Sequence, residues 1–138
     1  MRRLVSIAVF LAVFSLVPLA AQDEGPHWYR VNYVQVLDAR YYTYLQEIMY
    51  PVYDEWIKTG LIVSYDGIRQ GTGAGEVTML GITELPNWDG ADDFTPEAYA
   101  EASQAAHGKP WAEAAAEYRP LSELRKIIRR EFYWSIKP

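Results

Sequence analysis

Apolar and aromatic residues recur with two different periods along the chain, and these periods predict its strands and helices. Residues 28–36 are rich in β-branched and aromatic side chains, which is typical of a strand. Successive side chains of a strand point to opposite faces. One face would therefore present Tyr29, Val31, Tyr33 and Gln35, and the other Trp28, Arg30, Asn32, Val34 and Val36.

Residues 39–59 have the helical period. A single helical stripe is formed by Tyr41, Leu45, Ile48, Val52 and Trp56. Gly60 suits the C-terminal cap of this helix. Pro51 lies inside it and lacks the N–H that would bind the carbonyl of Glu47, so we expect a kink near the middle of the helix.

The rest of the chain predicts two strands, a helical region and a last strand. The strands are residues 61–68 and 76–85, joined by a glycine-rich hairpin loop. Thr95 and Pro96 begin a helix that reaches about residue 106, and a second helical piece covers residues 111–118. Residues 121–128 fit a helix or a strand equally well, and residues 129–136 alternate as a last strand.

The predicted order β-α-β-β-α-β is that of the ferredoxin-like α+β fold, a four-stranded sheet with helices on one face. The other face would be too apolar for a lone monomer, so we expect a homodimer in which two sheets pair. On the last strand, either Phe132, Trp134 and Ile136 or Tyr133 and Ser135 would lie on that free face. The first set is the more apolar, and Trp134 is therefore the residue that we expect in the interface.

The N-terminus has the pattern of a secretory signal peptide. Arg2 and Arg3 precede an apolar run of about 16 residues, which is short for a membrane span, and small residues follow at Ala20 and Ala21. We expect cleavage after one of these two alanines. The sequence then divides into a signal peptide (1–21), a flexible leader (22–27) and one domain (28–138). The product would be periplasmic or secreted, without stable membrane association.

Composition narrows the classes of partner. The 138 residues have a formal net charge of −5, which argues against nucleic acid because phosphate binding needs clustered Lys and Arg. The chain has no cysteine and two histidines, so neither disulfides nor a zinc site is predicted.

Polar residues interleaved with apolar ones on the strands are the first candidates for a binding site. Arg30 and Asn32 share one strand face, and buried polar groups need partners. If that face lines an interior space, these residues and Tyr65 would orient a ligand; if it is a solvated edge, they have no such role. Aromatic residues crowd the long helix, including Tyr41 and Trp56. They either fill the core and the dimer interface or form a stacking wall for a planar ligand.

Several segments resemble the dimeric α/β-barrel proteins of ferredoxin-like fold, in particular NIPSNAP-type and antibiotic-biosynthesis-monooxygenase-type members of unknown role. These are the strand RVNYVQV, the long helix with Pro51, the junction Lys58-Thr59-Gly60-Leu61 and the closing RREFYWSIKP. The resemblance covers about residues 29–136. The stretch 92–120 departs from the minimal fold, either as a lid over the site or as an extension of the second helix.

The resemblance implies a ligand held between sheet and helices or inside the dimer barrel. Three functions follow from it. The first is an exported homodimer that binds a small, partly apolar or aromatic molecule, with no cofactor. The second is a cofactor-free monooxygenase or isomerase, so enzymatic activity stays open. The third is a haem-handling barrel with His107 as axial ligand, although a role at the C-terminus of its own helix explains this histidine better.

Overall fold

A computed structural model describes residues 26–70 and 75–135. The predicted signal peptide, most of the leader, the centre of the glycine-rich loop and the last three residues lie outside this part. The strands are β1 (Trp28–Val36), β2 (Ser64–Arg69), β3 (Met79–Leu85) and β4 (Arg125–Trp134). The helices are α1 (Arg40–Tyr44), α2 (Tyr50–Thr59), α3 (Pro96–His107) and α4 (Trp111–Ala114). No helix in the described ranges is long and apolar enough to cross a membrane.

The four strands form one sheet in the order β2-β3-β1-β4, and every neighbouring pair is antiparallel. β1 and β2 therefore run in the same direction, with β3 between them. This is the ferredoxin-like topology, and the predicted fold class is confirmed. A bulge in β4 falls opposite Tyr33 and Val34 of β1, because Arg129 pairs with Tyr33 while Ile127 pairs with Val34.

Alternation along β1 follows the prediction and divides the sheet into two faces. Arg30 and Val34 are buried on the side covered by the helices. The opposite face, here called the free face, includes Val31 and Tyr33 together with their cross-strand partners. Apolar members of the free face from three of the strands are Tyr29, Val31, Tyr33, Ile68, Leu80 and Ile82.

Trp134 does not belong to the free face, so the expectation that it lies in a sheet-to-sheet interface is wrong. It pairs with Trp28, on the same side of the sheet as Arg30, and the two indole centroids are 6.0 Å apart. Its neighbour Tyr133 points to the free face. Trp134 is 56% exposed on that side of the sheet.

The long helix changes its hydrogen-bonding pattern just before Pro51. Leu45–Met49 is π-helical, and the N–H of Tyr50 donates to the carbonyl of Leu45, five residues earlier. Proline cannot donate to the carbonyl of Glu47, and its ring crowds that carbonyl. One widened turn accommodates both effects, so the irregularity predicted from Pro51 takes the form of a π-helical segment between α1 and α2.

Some boundaries differ from the predicted ones. β2 begins at Ser64 because the N–H groups of Leu61 and Ile62 still bind the carbonyl of Trp56, which completes the helix end around a left-handed Gly60. β4 begins at Arg125, so the ambiguous segment 121–128 divides into a short 3₁₀ turn and the start of a strand. α3 begins as predicted, with the Thr95 hydroxyl accepting from the N–H of Ala98 at 3.2 Å.

The π-helical segment leads to a prediction for Pro51→Ala. Alanine restores the N–H that can bind the Glu47 carbonyl, but side chains of Ile48 and Met49 are packed around the wider turn. We expect these effects to offset each other, so that urea unfolding changes by less than about 1 kcal/mol while the cavity described below changes shape. Pro96→Ala is the control for the unfolding measurement alone, because Pro96 at the first turn of α3 interrupts no helical bond. A loss well above about 3 kcal/mol for Pro51→Ala would contradict this account.

Candidate functional site

A cavity of about 520 Å³ lies between the sheet and the helices. Its floor consists of side chains from β1 and β4, and its walls come from the long helix and from the region between α3 and β4. The floor residues are Arg30, Asn32, Val34, Arg125, Ile127 and Arg130; the wall residues are Tyr41, Tyr44, Leu45, Met49, Tyr53, Pro96, Tyr99, Ala100, Pro110, Trp111, Ala112 and Leu121. This volume is in the range of small-molecule sites.

The sequence-predicted residues Arg30, Asn32 and Tyr41 meet in this cavity. The alternation of β1 directs the first two toward the helices. Tyr41 reaches it from α1, in the first part of the helical stripe. The sequence therefore identified two residues of the floor and one residue of the walls.

Three other predicted site residues lie elsewhere. Trp56 is in the core, where its indole N–H donates to the carbonyl of Ala98 at 3.2 Å. Tyr65 donates its hydroxyl to the Asp54 carboxylate at 3.0 Å, and burial together with that carboxylate raises the pKa of Tyr65 to about 12.

His107 is directed into the π-helical segment. Its Nε2 donates to the carbonyl of Ile48 at 2.9 Å, and it is not a lining residue of the cavity. An axial haem ligand needs a free ring nitrogen facing the iron. The placement of His107 does not fit that role for a haem in this cavity. In the part of the chain that the structure describes, no group of three or more His, Asp or Glu side chains is arranged to hold a metal ion.

Arg30 is the most unusual residue of the site, because a guanidinium is buried with 4% of its surface exposed. Its Cζ lies 3.5 Å from the centroid of the Phe94 ring, and the guanidinium also interacts with the Tyr99 hydroxyl. Its Nε has no hydrogen-bond partner. Burial lowers the pKa of Arg30, and the nearby Arg130 lowers it further.

Arg125 and Trp111 provide two more buried donors without hydrogen-bond partners, the Nε of the arginine and the Nε1 of the indole. The Arg125 guanidinium lies 5.6 Å from the centroid of the Tyr41 ring. Burial raises the pKa of the nearby Tyr44 phenol, and the Trp111 indole opposes this by a smaller amount. All three unpartnered donors belong to lining residues.

Asn32 and Arg130 form the polar pair of the floor. They face each other across β1 and β4, and the Nε of Arg130 donates to Oδ1 of Asn32 at 2.7 Å. The amide thereby positions the guanidinium without neutralising it. Three arginines but no Asp or Glu side chain are among the described residues that line the cavity.

Sequence reasoning missed Tyr99, Trp111, Arg125 and Arg130. The two arginines belong to β4, and the register across the bulge turns both toward the helices. Trp111 follows Pro110 at the start of a short helix. A large apolar residue directly after a helix break could have suggested Trp111 from the sequence. The bulge in β4 could not be predicted in this way, because it depends on pairing with β1.

Comparison with solved structures shows the fold. HapK from Hahella chejuensis is 10% identical, with a TM-score of 0.51, and the match covers 80% of this chain and 94% of that one. A conserved protein of unknown function from Bacteroides thetaiotaomicron, described as a possible oxidoreductase, is 14% identical, with a TM-score of 0.42 and coverage of 80% and 97%. A dimeric ferredoxin-like protein of unknown function from Thermobifida fusca is 14% identical, with a TM-score of 0.40 and coverage of 81% and 92%.

No protein-family model matches the chain. No curated protein matches it either. The likeness to HapK therefore shows a shared ferredoxin-like fold and nothing about activity.

The buried phenols of the cavity predict loss of stability at alkaline pH. Burial raises the pKa values of Tyr41 and Tyr44 above 10, whereas the unfolded chain ionises its tyrosines near pH 10. The folded state then holds more protons than the unfolded one, so the free energy of unfolding is constant with respect to these groups below about pH 10 and falls as the pH rises above it.

We expect urea midpoints to fall between pH 9 and 11, and to fall less steeply in Tyr44→Phe. The comparison of slopes removes the contribution of other titrating groups, which both proteins share. Equal slopes in the two proteins would contradict the raised pKa values of Tyr41 and Tyr44. Equal phenolate absorbance of the folded and the unfolded wild type at the same pH would contradict them as well.

Proposed function

We propose that this protein is an exported homodimer that binds a small, partly aromatic molecule between its sheet and its helices. The observation on which this proposal depends is the cavity of about 520 Å³, whose described wall residues include four tyrosines and a tryptophan. Such rings bind planar apolar groups by offset or edge contacts. Tyr41, Tyr44 and Trp111 are available for these contacts.

The ring geometry supports a preformed wall. The Tyr41 and Tyr44 centroids are 5.8 Å apart with an interplanar angle of 24°, and Tyr44 meets Tyr118 at 5.6 Å. Tyr118 is itself held by a 2.5 Å hydrogen bond to the Glu47 carboxylate. A wall whose rings are already ordered loses little side-chain entropy when a ligand binds.

The phenols favour binding over proton-transfer chemistry. A general base must lose its proton near the working pH. Since burial raises the pKa values of Tyr41, Tyr44 and Tyr53, these hydroxyls stay protonated and act as hydrogen-bond donors. This supports a ligand-binding role more than a cofactor-free oxygenase or isomerase.

Residues 92–120, which exceed the minimal fold, contribute wall residues to the cavity. Tyr99 of α3 and Trp111 of α4 both line the cavity, and Ser103 is tied to the carbonyl of Lys109 at 3.0 Å across the α3–α4 turn. This segment therefore contributes a wall of the cavity.

A ligand should remain bound when the protein is isolated from its host under native conditions. We expect native mass spectrometry to show a chain beginning after Ala20 or Ala21 plus a discrete added mass that is released on denaturation. Ala112 lines the cavity and is also exposed to solvent, so Ala112→Trp places a large side chain in the cavity at this point. This variant should therefore lack the added mass.

Ala105→Trp is the matched control, because Ala105 is exposed on α3 and is not a lining residue. It should retain the ligand. Added mass that persists in Ala112→Trp would place the ligand outside this cavity, and a chain that still begins at Met1 would contradict export.

The homodimer is supported by the free face. Ile68, which is 47% exposed, lies beside Leu80 there, and a hollow of about 600 Å³ opens on the same face. Exposed apolar surface of this kind is unusual on a monomer, and a two-fold pairing of identical sheets would cover it. An obligate interface of this type buries on the order of 2,000 Å² or more.

We expect light scattering at micromolar concentration to give twice the monomer mass. Leu80→Arg places a charge on the free face and should shift the protein to monomer. Ile57→Arg introduces the same side chain at an exposed position of α2 and should leave the dimer intact. A wild-type monomer of normal stability would contradict the sheet-to-sheet dimer.

A further inference from the structure

We infer that the ligand is an organic anion, a planar aromatic carboxylate whose carboxyl group binds the guanidinium groups of the cavity floor. This inference rests on the proposed function, and it adds the charge and chemical class of the ligand. It depends on geometry: three arginines line the cavity and two of them have buried Nε–H donors without partners.

Arg30 and Arg125 enter the cavity from opposite ends of its floor. Arg30 is level with Phe132, whereas Arg125 is level with Val36, so their backbones are separated by roughly 20 Å along the strands. Burial raises the pKa of the Tyr53 phenol, and the positive charges of both guanidinium groups oppose this rise. The Arg30 guanidinium lies against Phe94 and that of Arg125 lies 5.6 Å from the Tyr41 ring centroid, and both belong to the cavity lining, so a ligand in the cavity meets a guanidinium at either end of the floor.

The existing partners of Arg30 leave its charge uncompensated. The Phe94 ring and the Tyr99 hydroxyl are neutral, and no ion pair in the described part of the chain involves Arg30. A buried cation without an anion is destabilising, and a carboxylate would remove that cost and occupy the vacant N–H group. An uncharged acceptor would occupy the N–H group but would leave the charge of the guanidinium uncompensated.

The charge of the cavity is opposite to that of the whole chain. The chain has a formal net charge of −5, yet its lining arginines Arg30, Arg125 and Arg130 face no carboxylate among the lining residues. Guanidinium groups bind planar carboxylates through paired hydrogen bonds and also stack on aromatic rings. Together with Tyr41 and Trp111, they form a site for an anionic head group on an aromatic body.

Two probes of the same shape and different charge test the inference, 2-naphthoate and 2-naphthamide, measured by isothermal titration calorimetry. We expect wild-type protein to bind the carboxylate about tenfold or more tightly than the amide, because a charge-assisted hydrogen bond is involved. Arg125→Gln should reduce this ratio toward one and change the amide affinity less than threefold. Lys126→Gln makes the same change of charge on the neighbouring residue, which points to the free face, and should preserve the ratio.

Arg30→Gln is the second variant, and it should lose the carboxylate preference while its circular dichroism matches the wild type. Arg125 is only partly buried, so Arg125→Gln keeps the test valid if Arg30→Gln does not fold. Equal affinity of wild-type protein for both probes would overturn the anion inference and leave the aromatic-ligand proposal standing. Failure of both probes to bind at millimolar concentration would overturn the two together.

Discussion

The alternation of side chains along β1 is the constraint on which the rest of this structure depends. β1 is central in the sheet, with β3 on one side and β4 on the other. One set of its residues faces the helices and the other faces away. The pairing register of β1 then determines which residues of β3 and β4 lie on each face. A shift of one residue would move Arg30 and Asn32 out of the cavity and Val31 into it. The floor of the site and the apolar free face are thus two consequences of one register.

Burial of Arg30 is the energetic cost of this arrangement. An arginine buried without a carboxylate reduces the stability of the fold, and contact with the Phe94 ring and the Tyr99 hydroxyl offsets only part of that cost. A hydrophobic residue of similar length would satisfy packing at lower cost. The proposed anionic ligand would give this cation the carboxylate partner that the described lining residues do not provide.

The sequence predicted those elements whose signal is local. β1 has the predicted bounds because β-branched and aromatic residues predominate in it, and α3 begins where Thr95 and Pro96 provide a cap and a first turn. The start of β4 could not be predicted in this way. The apolar residues between Leu121 and Ile128 fit both periods, and only pairing with β1 selects the strand.

The difference between local and non-local signals also explains which site residues could be predicted from the sequence and which could not. A helical stripe shows that Tyr41 and Trp56 are on a buried side, but it cannot show which of them borders a cavity and which is enclosed in the core. That distinction depends on how far the helices lie from the sheet at each point. For the arginines of β4 it depends on the bulge near Tyr33, which is a property of two strands together.

In the proposed dimer, assembly and ligand binding would use different side chains of the same strands. Arg129 and Arg130 show this most directly, because adjacent residues of β4 have opposite surroundings. Arg130 donates to Asn32 in the cavity floor, whereas the Arg129 guanidinium lies 3.8 Å from the centroid of the Tyr33 ring on the free face. Pairing of two sheets through the free face would restrain the backbone of β1 and β4 without touching the ligand. Dimerisation would then hold the cavity floor in its binding geometry, so assembly would support binding through the backbone of the sheet alone.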